Sequence, residues 1–219
     1  KAYCLGELGN EYDQGLISFF EQNFDGEVIK DSFPTNTSDF STYLNKAKNE
    51  GVDVIFCPVS ISYSTQIVKL AASMGLDIPL LGSDTLDSNM VLEAAQGSNV
   101  QLYVSTFYQE GGSPEFDDGI KAWLNEDSTA MTNNGGNDTI AAVTAMGYDA
   151  YYVALEALKA AGSTDKAAVK AALPDVTYTG VSGSIAFDEQ GDAIRDTAYI
   201  KTADTANNAW ALETVQTVE

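Results

Sequence analysis

The first hundred residues alternate short apolar runs with segments in which apolar residues recur at helical spacing. Strands that alternate with amphipathic helices are typical of parallel βαβ units. We therefore expect an α/β fold with a doubly wound parallel sheet, because parallel strands joined by short right-handed crossovers form one sheet. The predicted strands are 2–6, 28–33, 52–57, 78–81 and 100–107, and the helices between them are 12–24, 38–51, 62–74 and 87–95.

The first predicted helix illustrates the pattern. Leu16, Phe19, Phe20 and Phe24 follow one another at steps of one, three and four residues. This spacing places all four side chains on one face of a helix. We expect that face to be buried.

The pattern changes after residue 110, where two glycines and a serine, Gly111 to Ser113, interrupt the chain. A helical stretch follows, and strand-like runs return near the end. The three expected segments are therefore 1–112, 113–180 and 181–219. The middle segment is predicted to hold helices at 116–124, 139–161 and 165–173 with a loop at 128–138, and the last segment strands at 181–187, 198–201 and 210–215, which add to the edge of the sheet.

The charge balance excludes several partners. Asp and Glu total 32 against 11 Lys and Arg, so the formal charge is -21 and the surface repels nucleic acid and anionic membranes. No apolar run approaches the ~20 residues of a membrane-spanning helix. The run that follows Lys1 has no charged region before it and no cleavage site, so no targeting segment is expected within this sequence.

Few catalytic or cofactor sites fit the composition. The sequence has no His, which removes Ser-His, Cys-His and His-zinc chemistry. Gly6 and Gly9 lack the third glycine of a dinucleotide fingerprint. The acidic turn at 188–192 lacks the spacing of an EF-hand. Cys4 and Cys57 lie in strand-like runs and are expected to be buried, rather than bridged or reactive. We predict no metal and no cofactor.

Three carboxylates lie at or just beyond predicted strand ends, namely Glu7, Glu11 and Asp84. The carboxyl edge of an open parallel sheet is where such folds bind ligands. A pair of carboxylates there could hold magnesium or act as acid and base, although no lysine follows at a strand end to complete a phosphoacceptor pocket. Glu11 and Asp84 could equally cap the helices that follow them.

Several short motifs follow one another along nearly the whole chain. They are EYDQG at 11–15, SDFS at 38–41, DVIF at 53–56, LGSD at 81–84, GYDA at 147–150, GVSG at 180–183, IAFD at 185–188 and Gly191-Asp192. In their order and spacing, these motifs together resemble the branched-chain amino-acid (Leu/Ile/Val) substrate-binding proteins of ABC transporters, which have the type I periplasmic-binding fold.

The resemblance implies a two-lobed receptor of which this chain is the C-terminal portion, without most of the first lobe. Residues 1–112 resemble the second lobe, 113–180 would pack on the first lobe, and 181–219 would return to the second. Trp123, Tyr148 and Tyr152 or their neighbours would then be exposed as an apolar patch, so self-association or a rearrangement of this segment is expected.

The resemblance also implies a set of ligand-binding residues. Asp84 falls where an acidic side chain receives the ammonium group of the ligand, with Ser83 beside it. Tyr12 falls where an aromatic ring lines the cleft, although a ring packed on its own lobe is the alternative. Ser60 and Ile61 stand where the family often has two aromatic residues, so the side chain of the ligand is left open.

The function implied is a non-enzymatic, extracytoplasmic solute receptor, in the periplasm or at the cell surface as a lipoprotein. It would capture a small amino acid, branched-chain or otherwise apolar, by hinge closure and deliver it to a membrane permease. The alternative is a sensory or regulatory amino-acid-binding module of the same fold.

Overall fold

A seven-stranded sheet forms the centre of the computed structural model, which describes residues 1–195 and 197–217. In chain order the described strands are β1 (Ala2–Glu7), β2 (Val28–Phe33), β3 (Val54–Phe56), β4 (Leu80–Gly82), β5 (Leu102–Thr106), β6 (Tyr178–Gly180), β7 (Gly183–Phe187), β8 (Ala193–Ile194), β9 (Thr197–Asp204) and β10 (Ala209–Thr217). The central sheet has the order β10-β9-β5-β4-β3-β1-β2.

The strands β1 to β5 are parallel, and their order within the sheet, β2-β1-β3-β4-β5, is doubly wound. The prediction of an α/β fold with this sheet is therefore confirmed. At one edge β9 is antiparallel to β5, and β10 is antiparallel to β9. The strands predicted at 198–201 and 210–215 thus join the sheet, as expected.

Helices connect and cover these strands. In chain order they are α1 (Glu11–Asn23), α2 (Ser41–Asn49), α3 (Ile61–Met74), α4 (Asn89–Ala95), α5 (Pro114–Glu126), α6 (Ser128–Asn133), α7 (Ala142–Ala161) and α8 (Lys166–Ala172), with 3-10 turns at Asp84–Leu86 and Leu173–Asp175. Within residues 1–195 and 197–217, no helix is both long and apolar enough to cross a membrane.

The main hydrophobic core lies between the sheet and helices α2, α3 and α4. It includes Tyr3 and Leu5 of β1, Leu44 of α2, Ile67 of α3 and Leu102 of β5, all fully buried. Gly75 ends α3 in the left-handed conformation at φ 57°, which glycine adopts without steric cost. The end of α3 at Met74 agrees with the helix predicted at 62–74.

Two expectations for the later segments are wrong. Residues 128–138 were expected to form a loop, but α6 occupies 128–133, because Asp127 caps the backbone N–H groups of Thr129 and Ala130. The strand predicted at 181–187 does not join the central sheet. It is β7 of a separate three-stranded sheet with the order β6-β7-β8.

Packing explains why β7 pairs locally. It forms a tight antiparallel hairpin with β6, in which Gly180 faces Gly183. Ile185 of β7 is buried with Val153 and Ala157 of α7, in a cluster separate from the main core. The apolar side of β7 therefore packs against α7. The division of the chain into the segments 1–112, 113–180 and 181–219 stays a prediction.

Asp149 of α7 fixes this hairpin. The side chain is fully buried, and its carboxylate accepts hydrogen bonds from the backbone N–H groups of Val181 (2.9 Å) and Ser182 (2.7 Å) and from the Ser182 hydroxyl (2.5 Å). A methyl group at Gly180 would overlap this carboxylate. The GYDA and GVSG motifs are therefore two halves of one contact.

The first prediction concerns that contact. Gly180→Ala should destabilise the protein by about 1–3 kcal/mol, because Asp149 is held by three hydrogen bonds and cannot move aside. Gly119→Ala is the matched control, since its position in α5 has open space, and alanine should stabilise that helix by up to about 1 kcal/mol. Urea unfolding of both variants measures the difference, and equal midpoints would contradict the prediction.

Candidate functional site

Tyr12 and Asp84 meet at the carboxyl edge of the parallel strands. Tyr12 lies in the first turn of α1, which follows β1, and Asp84 begins the 3-10 turn that follows β4. The Tyr12 hydroxyl donates a hydrogen bond to Oδ1 of Asp84, across 72 positions of sequence. The structure thus brings these two predicted site residues together.

The start of α1 is fixed by two side chains. Asn10 caps the helix, and its Oδ1 accepts from the backbone N–H groups of Tyr12 (3.1 Å) and Asp13 (3.3 Å). Asp13 is buried, and its Oδ2 accepts from the N–H of Glu7 at the end of β1 (2.8 Å). Desolvation raises the pKa of Asp13. Together these bonds hold Tyr12 at a fixed distance from β1.

Ser83 belongs to the same site but is buried. Its hydroxyl lies 2.9 Å from the Thr85 hydroxyl, which donates to the carbonyl of Val59 (2.8 Å). Because a hydroxyl has one hydrogen and that of Thr85 is used on Val59, Ser83 is the donor to Thr85. Ser83 therefore links the Asp84 turn to the loop after β3.

A cleft of about 800 Å³ extends from Tyr12 and Asp84 along one face of the sheet. Its walls are mostly apolar. The lining comprises Tyr12, Leu16, Phe19 and Phe20 of α1, Phe56 of β3, Gly82, Ser83 and Asp84, Ser105 and Phe107 at β5, Met146 of α7, and Asp192 and Ala193.

The apolar face of α1 differs from the prediction. Phe19 is 66% exposed and Leu16 is half-buried, whereas Ile17 and Asp13 point into the protein. The predicted buried face is instead the face that lines the cleft, where Phe20 stacks on Phe56 at a centroid distance of 4.7 Å. The sequence carries a signal for this cleft-lining face. The apolar residues of α1, which include Ile17 as well as Leu16, Phe19 and Phe20, cover a wider face than packing against one sheet requires.

Glu7 does not pair with Asp84. Hydrogen bonds from Thr35, Asn10 and Tyr63 lower the pKa of Glu7. The Tyr63 hydroxyl donates to Oε1 of Glu7 at 3.0 Å. Glu7 thus serves the packing of neighbouring loops, and the described part of the chain brings together no cluster of three acidic or Cys residues that could hold a metal ion.

The electrostatics of Tyr12 suit a hydrogen-bond donor. Burial raises the pKa of the Tyr12 hydroxyl, and the bond to the Asp84 carboxylate raises it further. The hydroxyl therefore keeps its proton across the physiological range. It offers that proton to Asp84, so the carboxylate stays available to a positively charged ligand at its remaining lone pairs.

A family model described as periplasmic binding protein matches residues 6–208. The chain belongs to the periplasmic binding protein family. Members of this family are solute-binding proteins rather than enzymes.

Individual relatives agree with the family. A Leu/Ile/Val-binding protein homologue of Brucella abortus is 27% identical over 186 residues, 83% of this chain and 47% of that protein. A leucine-binding protein of Thermotoga maritima matches with a TM-score of 0.79 and 26% identity, over 99% of this chain and 60% of that one. A benzoate complex of a solute-binding protein of an ABC transporter from R. palustris has a TM-score of 0.78 at 17% identity, over 99% and 59%, and shows the fold alone.

This periplasmic binding protein chain spans about half the length of the curated relatives it matches. Its resemblance to branched-chain amino-acid binding proteins of ABC transporters, stated from the motifs, is confirmed by these matches.

Two of the predicted site residues lie apart from the cleft. Ser60 precedes α3, and its hydroxyl lies 3.1 Å from that of Ser62. Ile61 is 38% exposed. Both follow β3 and so share the edge of the sheet with Tyr12, but neither lines the cleft. Their contact with ligand in this periplasmic binding protein stays a prediction.

The second testable prediction concerns the thiols. Cys4 and Cys57 are free and fully buried, and burial raises the pKa of each to about 12. Because the thiolate is the reactive form, neither should react with a disulfide reagent at mildly alkaline pH until the protein is unfolded. Ser62→Cys supplies an exposed control thiol that should react at once. Native reaction of Cys4 or Cys57 at the control's rate would contradict this.

Proposed function

We propose that this chain forms one wall of the ligand cleft of an ABC-transporter solute receptor that captures a small apolar amino acid. The observation that carries the proposal is the Asp84 carboxylate, oriented by Tyr12 at the carboxyl edge of the sheet. A carboxylate there is suited to the ammonium group that every α-amino acid carries.

The chemistry of Asp84 favours an ammonium ligand. Its Oδ1 accepts from Tyr12, and its Oδ2 accepts no hydrogen bond from any residue that the structure describes. Hydrogen bonds between an ammonium and a carboxylate are roughly twice as strong as neutral ones. An uncharged solute can offer this group only a hydrogen bond without the attraction of opposite charges, and an anion is repelled by it.

The apolar walls favour an apolar ligand side chain. Leu16, Phe20 and Phe56 line the cleft beside Asp84. Burial of an aliphatic side chain against such a surface is favourable by about 25 cal/mol per Å². The name of the Brucella relative refers to Leu, Ile and Val, and that of the Thermotoga relative refers to leucine, which supports the branched-chain class.

The same proposal includes the mechanism and the setting. Ligand contacts on both sides of a cleft favour a closed state over an open one, so capture proceeds by hinge closure without catalysis. The closed receptor then delivers the amino acid to a membrane permease. This delivery requires a location outside the cytoplasm, in the periplasm or at the cell surface as a lipoprotein.

The third testable prediction concerns Asp84. In the full-length protein, Asp84→Asn and Asp84→Ala should each weaken leucine binding by about 2–5 kcal/mol, because either change leaves the ammonium without a charged partner in a closed cleft. Isothermal titration calorimetry measures this loss. Asp25→Asn, at an exposed site after α1, is the control and should bind as the wild type does.

A second ligand makes the test specific. The des-amino analogue of leucine lacks the ammonium, so Asp84→Asn should not weaken its binding. Equal affinities of wild type and both Asp84 variants for leucine would overturn the role of Asp84 and the amino-acid proposal.

The fourth testable prediction concerns association. Trp123 of α5 is 54% exposed, and Tyr148 and Tyr151 of α7 are 40% and 62% exposed. Tyr152, by contrast, is half-buried and stacks on Tyr178. We expect residues 1–219 produced alone to self-associate through these exposed rings. Sedimentation velocity should show dimers or larger species that dissociate in Trp123→Ser/Tyr151→Ser, and a wild-type monomer would contradict this.

A further inference from the structure

A buried ion pair lies directly behind the turn that carries Asp84. Nζ of Lys201 on β9 is 2.9 Å from Oδ2 of Asp87, and the two side chains are 4% and 1% exposed. The partners are 114 positions apart in the sequence. The pair therefore connects the strand that returns late in the chain with the loop after β4.

A third buried group completes the contact. The hydroxyl of Thr106, the last residue of β5, donates to the same Oδ2 of Asp87 at 2.8 Å, and Thr106 is fully buried. Lys201 is paired with Val104 of β5 in the antiparallel register. The Asp87 carboxylate is thus held from two adjacent strands of the central sheet.

The turn transmits this anchoring to Asp84. The N–H of Asp87 donates to the carbonyl of Asp84 (3.1 Å), and the N–H of Leu86 donates to the carbonyl of Ser83 (3.0 Å). Leu86 is fully buried, and any side chain at Gly82 would overlap it. Because the turn is fixed at Leu86 and Asp87, within three residues of Asp84, the backbone of Asp84 has little freedom.

The pair is poorly optimised for stability alone. Oδ1 of Asp87 is buried without a hydrogen-bond partner among the described residues. The desolvation of two buried charges often outweighs their attraction, so well-packed apolar residues in their place are frequently as stable or more stable. A directional contact of this kind instead selects one conformation of the loop.

We propose that Asp87, Lys201 and Thr106 are positioning residues that hold the 83–88 turn and so aim the Asp84 carboxylate at the ligand. This inference rests on the proposed role of Asp84 in binding.

The variants that test it are chosen at Thr106. Lys201→Met would leave the buried Asp87 carboxylate without a charged partner and endanger folding, so the informative change is at Thr106. Thr106→Val keeps the shape and removes the hydroxyl, and Thr106→Ser keeps the hydroxyl as the conservative control.

The first arm of the test uses no ligand. Amide hydrogen exchange of Leu86, Asp87 and Ser88 in the full-length protein should be about tenfold faster in Thr106→Val than in wild type, as loss of a hydrogen bond to a charged group predicts. Thr106→Ser should exchange at nearly the wild-type rate, and strands β1 and β2 should be unchanged in both. Unchanged exchange at 86–88 in Thr106→Val would overturn the proposal.

The second arm links the turn to binding. Thr106→Val should weaken leucine binding about tenfold in the wild-type background, with rescue in Thr106→Ser, and should have no further effect on Asp84→Asn. The same tenfold loss in both backgrounds would show a structural effect that does not act through Asp84, and would overturn the proposal. If Asp84→Asn itself binds leucine normally, the proposed function fails together with the role of the turn in binding, whereas the exchange arm still decides whether Thr106 holds the turn.

Discussion

The site depends on one topological constraint of parallel sheets. Parallel neighbours require a crossover helix after each strand, so every strand-to-helix turn lies at the same edge. Tyr12 after β1 and Asp84 after β4 are 72 residues apart, yet their side chains touch because β1, β3 and β4 are consecutive in the sheet. The cleft and the proposed ammonium contact follow from that strand order.

Buried aspartates connect the elements around this edge. Asp13 joins α1 to the end of β1, and Asp149 joins α7 to the hairpin at 181–182. Asp117 accepts from the N–H of Gly111 and the hydroxyl of Tyr108, and Asp87 binds Lys201. Asp13, Asp117 and Asp149 accept from backbone N–H groups that a loop or strand end leaves unpaired, which lowers the cost of burying those groups, whereas Asp87 accepts from side-chain donors. Although the net charge of -21 suggests a solvated acidic surface, some of the acidic residues are thus buried and connect structural elements within the protein.

The sequence was sufficient where local pattern and topology decide the structure. Strands β1 to β5, the helices between them and the meeting of Tyr12 with Asp84 follow from apolar periodicity and the crossover rule. The contacts of these buried aspartates could not be predicted. Asp87, for example, binds Lys201, which is 114 positions away, and no local spacing in the sequence encodes that contact. The prediction that the strand at 181–187 joins the central sheet was wrong for a similar reason. An apolar pattern identifies a strand but does not determine which strand it pairs with, and β7 pairs with β6. Periodicity identified the apolar face of α1 but could not distinguish a face that packs on the sheet from one that lines a cleft.

The exposure of the site indicates where its affinity must arise. Tyr12 is 42% exposed and Asp84 is half-buried, so water screens this carboxylate, and an ammonium paired with it gains only about 0–1 kcal/mol. The same pair becomes much stronger when the cleft is covered and the surrounding water is excluded, because the effective dielectric constant falls. A rigid turn would matter most in the proposed closed state, where a small displacement of the carboxylate would leave a buried ammonium without its partner. The proposed hinge closure and the proposed anchoring of the Asp84 turn by Asp87 are therefore complementary, since closure would remove the water and the anchored turn would hold the charge in place once the water is gone.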